Sequence, residues 1–436
     1  MIYAAIILLF ILSARLFYMQ VVEGSYYKEE ADGNRIRSIP VQATRGVMYD
    51  RNGVILAGSR PAYSVIMPVD RKGNTLSDDE LQKLSVLLKM PVADLKKKIE
   101  DNKRAFGAIY LANDVGVDVA TQIEEKKDDF PGIQIEVNPL RVYPLGAAGA
   151  QVLGYVGEAG PDDKDADGNP YTTATLIGRA GIERKYNQYL EGKNGSKTIE
   201  VNASGQPVGY VGGTPAVSGN NIRLTLDANL QKAAEDAIDS QVKILAKSGI
   251  YATGAFAVAI DPNSGAVLAM VSEPSYDPNR FSKGISTADW NQIINNKNHP
   301  MQNRTIASMY PPGSLFKVVT GAAALEAKVM SPTERIFDSG KHWLVDKRNA
   351  QGEAFGWIDF YEALEKSDNV YFYEMGRRLG IDKLSQMARE FGLGKPTGID
   401  LAGEADGNVA SEEYKKKVFD QDWYLGETMD AAIGQS

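Results

Sequence analysis

The sequence predicts an α+β multidomain chain behind an apolar N-terminal helix, and three observations carry that prediction. Its 436 residues, 43% of them hydrophobic, have room for two or three domains with separate cores. Residues 2–22 are apolar apart from Ser13, Arg15 and Gln20. Beyond them, stretches of period two alternate with stretches of helical period, and no internal repeat interrupts the pattern.

About 20 apolar residues at 1.5 Å per residue match a hydrocarbon core of ~30 Å, so residues 1–22 are expected to form a transmembrane anchor. No small-residue cleavage site follows, which favours an uncleaved anchor. Lys28, Arg35 and Arg37 follow the segment and no basic residue precedes it, so a short basic leader is expected to be missing before Met1. Long domains translocate largely regardless of flanking charge. The expected location is therefore the cell membrane, single-pass, with the bulk of the chain extracytoplasmic.

Residues 38–43 and 63–67 alternate as strands around the turn-rich Tyr49-Asp50-Arg51-Asn52-Gly53. Ser77, Asp78, Asp79 and Glu80 open a helix whose apolar face is Leu81, Leu84, Leu87 and Leu88, and a second helical piece spans 92–101. Residues 140–157 return to strand and turn, and an acidic loop covers 158–170. Strands are expected at 197–202 and 221–225, then a helix over 229–247. Two β-compatible runs, 254–260 and 266–271, flank Asp261-Pro262-Asn263-Ser264-Gly265 and predict a hairpin. The expected organisation is a mixed α/β domain over 23–225, a linker helix in 226–250 and a second domain over 251–436.

Composition excludes several chemistries. There is no cysteine, hence no disulfide or thiol catalysis, and the only histidines, His299 and His342, have no partner at metal-ligand spacing. The net charge of −8 shows no basic footprint for nucleic acid. Asp163, Asp165, Asp167 and Gly168 match the opening of a calcium loop, but Ala174 stands where its bidentate glutamate belongs, so a solvated acidic loop is expected. Neither metal nor cofactor is expected, and chemistry falls to Ser, Lys, Asp, Glu, Asn or Tyr.

The pattern Ser-x-x-Lys supplies a nucleophile and a base without histidine, and it occurs three times, at Ser25/Lys28, Ser240/Lys243 and Ser314/Lys317. Ser25 has no sign of a pocket, and Ser240 falls within a charged helical pattern. Ser314 alone follows a Pro-Pro-Gly turn and opens an alanine-rich run, 315–329, so it reads as the first position of a helix with Lys317 one turn on. The positive end of the helix and burial would both lower the lysine pKa. For a lone motif of this kind an inert serine cap is the favoured reading, and only further elements overturn it. Ser367-Asp368-Asn369 follows Ser314 by 53 residues, between two helix-compatible stretches. Ser367 could relay a proton between Lys317 and a leaving amine, the Asn369 amide could bind a peptide carbonyl, and Asp368 would brace the loop.

Together these elements resemble the penicillin-recognising acyl-serine enzymes, whose boxes are Ser-x-x-Lys, Ser-Asp-Asn and Lys-Thr-Gly. Asn303-Arg304 ahead of YPPGSLFK, SDNVYFYEMGRRLG from Ser367, FGLGKPTGIDLAGE from Phe391 and Ala432-Ile433-Gly434-Gln435 narrow the resemblance to class B penicillin-binding proteins. TRGVMYDRNGVILA from Thr44, RVYPLG from Arg141 and GRAGIERKYNQYLEG from Gly178 resemble the family's non-catalytic, dimerisation-type pedestal, most like the elongation type. The likeness covers nearly the whole chain.

The resemblance implies a pedestal over 23–225 and, over 251–436, a transpeptidase domain with an antiparallel sheet flanked by helices. It implies a peptidoglycan D,D-transpeptidase serving cell-wall elongation and cell shape. Ser314 would be the nucleophile, Lys317 the general base, Ser367 the proton relay and Asn369 the substrate-binding amide. Implied partners are stem peptides ending in D-Ala-D-Ala, β-lactams, membrane lipid and a membrane glycosyltransferase of the shape, elongation and division (SEDS) family. Two features depart from the family pattern. Gln151 stands where the family often has histidine. The third box is missing downstream of Gln435: Lys247-Ser248-Gly249 precedes the nucleophile, and Lys395-Pro396-Thr397-Gly398 carries a proline that a central strand does not tolerate. The expectation is a chain incomplete at its C-terminus and inactive by itself. A β-lactam sensor, a serine β-lactamase or a catalytically incomplete scaffold for cell-wall partners are the alternatives.

Overall fold

The computed structural model describes residues 2–23, 25, 36–68, 76–101, 108–160, 162–165, 168–171, 175–201 and 207–435. Lys28, Arg35, Asp167 and Ala174, on which some expectations above rest, lie outside the described residues. The chain divides into two compact units, Met1–Gln302 and Asn303–Ser436.

The first unit opens with the helix Ile2–Phe17, which widens into a π-helical turn over Tyr18–Val22. Sixteen α-helical residues rise about 24 Å, short of the ~30 Å hydrocarbon core. Among the described residues no helix is long and apolar enough to cross a membrane. The apolar side chains Ile6, Leu9, Phe10, Leu12 and Leu16 are nonetheless all exposed.

Further along, the long strand Ile55–Pro68 pairs antiparallel with Ala108–Val115 on one side and Gln134–Val142 on the other. Met48–Tyr49 extends the sheet, and Ile222–Arg223 joins it in parallel. Ser77 caps the helix Asp78–Leu88 through a capping box with Glu80, as its Ser-x-x-Glu pattern predicts. That helix, Val92–Asp101 and Val117–Glu125 cover a core of Val65, Met67, Leu84, Leu95, Leu111 and Ile123. A separate three-stranded sheet orders Ile36–Val41, Gly195–Val201 and Pro207–Thr214.

Three segments distant in sequence meet in one buried charge cluster of this unit. Glu183 is fully buried and accepts from Arg45 Nε at 2.6 Å, Arg141 Nε at 2.7 Å and Tyr143 Oη at 3.0 Å. Arg141 also donates to Gly46 O. The Asp50 turn is tied to the helix Ala228–Lys247 by the Ala228 N–H, which donates to Asp50 Oδ2, and by Asn52, which donates to Asp227. Gln231 of that helix exchanges two hydrogen bonds with the Met270 backbone. The expected hairpin forms, with Ala255–Ile260 antiparallel to Val267–Glu273. Gln151 is buried and donates to the carbonyls of Ser272 and Pro300, so this amide holds loops together.

The second unit is mainly helical. Lys317–Glu326, Asn369–Leu379, Ile381–Glu390 and Leu425–Ala432 enclose Ala323, Ala324, Tyr371, Phe372, Met375, Leu384 and Met429. Phe360 closes against Gly321, where an added Cβ would lie 2.7 Å from the ring. A two-stranded ribbon, Ile336–Asp338 with Gly356–Ile358, flanks the helices. His342 is buried: its Nδ1 accepts from the Leu344 N–H, so Nε2 carries the proton offered to Glu374 Oε2 at 3.2 Å.

Candidate active site

Ser314 does not cap a helix. It is the second residue of a 3-10 turn, Gly313–Phe316, and the α-helix begins at Lys317. In a 3-10 turn residues i and i+3 eclipse, so Ser314 and Lys317 are stacked more directly than an α-helical start would allow. The turn is held by the segment at the end of the chain. Gly313 N–H donates to Gly434 O at 3.0 Å, and Thr320 Oγ1 donates to Ala432 O at 2.7 Å. Gly434 has φ +72°, and a Cβ there would meet Gly313 O at 2.3 Å, so only glycine fits this close approach.

Ser314 is exposed, whereas Lys317 is 1% exposed. The Lys317 ammonium donates to Ser367 O at 2.6 Å, Asn369 Oδ1 at 2.7 Å and Ser367 Oγ at 3.1 Å. All three of its protons thus have acceptors, and Ser314 Oγ is not among them. The Phe372 ring lies 5.6 Å from Nζ. Burial brings the lysine down to about 8, opposed by the negative charge of Asp368. Its hydrogen-bond acceptors are neutral dipoles, which compensate an ammonium less than a carboxylate would.

Ser367-Asp368-Asn369 forms the expected connection between the helices Phe360–Glu365 and Asn369–Leu379. Ser367 has φ +55°, a conformation that costs a β-carbon-bearing residue about 1–3 kcal/mol. Two backbone bonds hold it there, Ser367 N–H to Leu364 O and Asp368 N–H to Ala363 O. Asp368 caps the second helix, accepting from the Tyr371 N–H at 2.9 Å. Its other oxygen is buried without a donor of its own and faces the Asp338 carboxyl. Burial first, and Asp338 with it, push the Asp368 carboxyl up, while the Tyr371 N–H works the other way. Asn369 Nδ2 reaches Arg348 O only at 3.5 Å, the outer limit of a hydrogen bond, and remains available to a ligand.

The structure therefore brings together three of the four expected site residues, Lys317, Ser367 and Asn369, with Ser314 one turn from the lysine. The other serine–lysine pattern among the described residues is different: Ser240 is exposed and donates to Asp236 O within its own helix. Both decoy third boxes also lie off any strand. Ser248 ends the helix Ala228–Lys247, and Thr397 lies in an irregular segment, donating to Glu404. Sequence reasoning missed Asp338 and Asn349, which support the Ser-Asp-Asn loop from the ribbon. The only available signal was Asp338-Ser339-Gly340, a short Asx-turn pattern that carries no chemistry alone.

Comparison with known proteins fits this geometry. Residues 40–224 match the model of the penicillin-binding protein dimerisation domain, and residues 255–436 match that of the penicillin-binding protein transpeptidase domain. The Escherichia coli (strain K12) peptidoglycan D,D-transpeptidase MrdA is 35% identical over 98% of this chain and 67% of its own length. A structure of Helicobacter pylori penicillin-binding protein PBP2 in complex with MreC superimposes with a TM-score of 0.76 at 30% identity, covering 92% of this chain and 73% of that one. A structure described as the coordination of polymerization and crosslinking by a peptidoglycan synthase complex gives a TM-score of 0.68 at 29% identity, covering 100% of this chain and 73% of that one. With both domain models matched and the catalytic-box residues gathered in one site, the chain belongs to the class B penicillin-binding proteins.

Proposed function

We infer that this protein is a peptidoglycan D,D-transpeptidase of cell-wall synthesis, acting through an acyl-serine at Ser314. The observation that carries the reading is the buried Lys317, held by Ser367 and Asn369 one turn after an exposed serine. With a pKa near 8, about a tenth of the lysine is neutral at pH 7, enough to act as a base. Neutral Lys317 takes the proton of Ser314 as Oγ attacks the carbonyl of the penultimate D-alanine of a stem peptide. The C–N bond breaks, and the leaving D-alanine amine receives a proton from Lys317 through the Ser367 hydroxyl. Asn369 Nδ2 binds the donor's peptide carbonyl. The amine of a neighbouring stem then attacks the acyl carbon and gives a proton to the again neutral Lys317; the C–Oγ bond breaks, Ser314 Oγ takes that proton back, and the cross-link is formed. β-Lactams would acylate the same oxygen.

The complex of PBP2 with MreC and the peptidoglycan synthase complex above support assembly with a protein of the MreC kind and with a polymerising partner, which we propose is a SEDS glycosyltransferase. The exposed apolar side chains of residues 2–22 support a membrane anchor, with the remaining chain extracytoplasmic. The dimerisation-domain match over 40–224 weighs against a β-lactamase or a β-lactam sensor. For domain limits we retain 1–22, 23–225, 226–250 and 251–436 as functional segments.

Labelling with a fluorescent penicillin tests the site. The protein should label, and Ser314→Ala should not; persistent labelling of that variant would sink the assignment.

A further inference from the structure

We propose that Asn349 is a positioning residue for acyl transfer, clamping the Ser-Asp-Asn loop so that Asn369 and Ser367 stay in register with Lys317. The inference rests on the acyl-serine reading above and extends it to a residue outside the recognised boxes. Asn349 lies in the loop joining the two ribbon strands Ile336–Asp338 and Gly356–Ile358, and it is 7% exposed.

Its amide is used on both sides. Oδ1 accepts from the backbone N–H groups of Asn369 at 2.8 Å and Val370 at 3.1 Å. Nδ2 donates to Asp338 Oδ2 at 2.8 Å and to Glu353 O at 3.1 Å. The first turn of the helix Asn369–Leu379 has donors with no partner inside the helix. Asn349 takes the first two of them and Asp368 takes that of Tyr371, so the start of this helix is fixed from outside itself.

The clamp is anchored in turn. Asp338 is 1% exposed and also accepts from the N–H groups of Gly340 and Phe355, so it cannot swing away without losing three partners. The neighbouring residue, Arg348, offers its carbonyl to Asn369 Nδ2. One loop therefore touches both the backbone and the side chain of Asn369, whose Oδ1 receives the Lys317 ammonium. A shift of the helix start would move that acceptor and the Ser367 carbonyl together. Misplacement of a catalytic group by about 1 Å costs on the order of 10²-fold in rate.

An amide is required here because one end must accept and the other must donate toward a carboxylate. The charged and titratable groups facing the site are Asp338 from the ribbon, Asp368 from the helix cap and Lys317 across Asn369. Arg348 is turned outward to Asp346. An aspartic acid at position 349 keeps the clamp only while protonated, with O accepting from the two backbone N–H groups and O–H donating to Asp338, at the loss of the bond to Glu353 O. Once ionised, it is a further carboxylate beside Asp338 and Asp368.

The test compares the wild-type protein with its Asn349 variants. Asn349→Ala should lower the rate of penicillin acylation by about 10–100-fold. Asn349→Asp should acylate nearly as wild type near pH 5.5 and fall progressively behind it as pH rises. A purely architectural role would lower the rate by a constant factor at every pH, and that result, or a wild-type rate for Asn349→Ala, would overturn the proposal. Amide hydrogen exchange supplies a readout independent of acylation. The Asn369 and Val370 amides should exchange about 10-fold or more faster in Asn349→Asp at pH 8 than in wild type. Unchanged exchange would remove the clamp. Failure of the wild type itself to acylate would overturn the acyl-serine reading and the catalytic part of this one, leaving exchange to decide the clamp alone.

Discussion

Two buried charge clusters, one in each unit, are built on opposite rules. In the first, Glu183 is surrounded by Arg45, Arg141 and Tyr143, and opposite charges meet at 2.6 and 2.7 Å. Burial works against its carboxylate, but the two guanidiniums outweigh it and hold Glu183 below the usual carboxylate range. In the second, Lys317 is nearly as buried, yet what surrounds its ammonium is a carbonyl, a hydroxyl and an amide oxygen. Neutral acceptors leave burial dominant, and the lysine falls toward neutrality. Compensated charge makes a fixed joint; under-compensated charge leaves a lysine that can lose its proton. A buried ion pair is therefore weak evidence of function, whereas a buried cation without an anion in direct contact is a strong pointer.

The largest expected effects would separate these rules. Lys317→Met should reduce penicillin acylation by about 10³-fold or more, since it removes the proposed base. Its stability should stay within about 1 kcal/mol of wild type, because relief of ammonium burial offsets three lost hydrogen bonds. A loss of several kcal/mol on thermal or denaturant unfolding would show that Lys317 is as structural as Glu183. The converse holds for Glu183→Gln. Leaving two buried guanidiniums without a carboxylate should destabilise the first unit by about 3–5 kcal/mol. That unit's unfolding transition reports the effect, and an unchanged transition would break the comparison. The sign with pH follows from the lowered carboxyl: the ion pairs contribute fully above the unfolded value of 4.5 and are lost as pH falls through the folded value.

What was legible in the sequence divides along the same line. The helices Asp78–Leu88, Val92–Asp101 and Ala228–Lys247 and the 255–273 hairpin follow from local rules, because capping residues, apolar spacing and turn residues act over a few positions. Ser314, Lys317 and the Ser-Asp-Asn loop were legible because each box is short and contiguous. The 3-10 turn at Ser314 was not, since its Gly313 N–H is tied to Gly434 O, far along the chain. The Glu183 cluster joins residues 45, 141 and 183, and the Asn349 clamp joins residues 338, 349 and 369. Neither has a local signature, because long-range hydrogen bonds leave no period in a sequence. The 2–22 segment shows the reverse case: its composition is uniform, but the α-helix gives way to a π-turn after Phe17, which composition does not encode.

The smallest effect is also the most discriminating, because it reads the charge of Lys317 without a mutation. If neutral Lys317 is the base, the acylation rate of wild-type protein should rise with pH and level off with a midpoint of about 8. Stability should follow the same group with the matching sign. Lys317 has its pKa lowered from 10.5, so the folded state binds fewer protons than the unfolded one between about 8 and 10.5. In that window the lysine's contribution to stability rises with pH; below about 8 its burial penalty is present in full. Lys317→Met should lack this rise, so the difference in unfolding free energy between the two proteins isolates it from other titrating groups. A rate profile flat from pH 6 to 10, or one whose midpoint lies near 10.5, would mean that Lys317 is an ordinary ammonium. The contrast with Glu183 would then collapse, and the proton of Ser314 would need another acceptor.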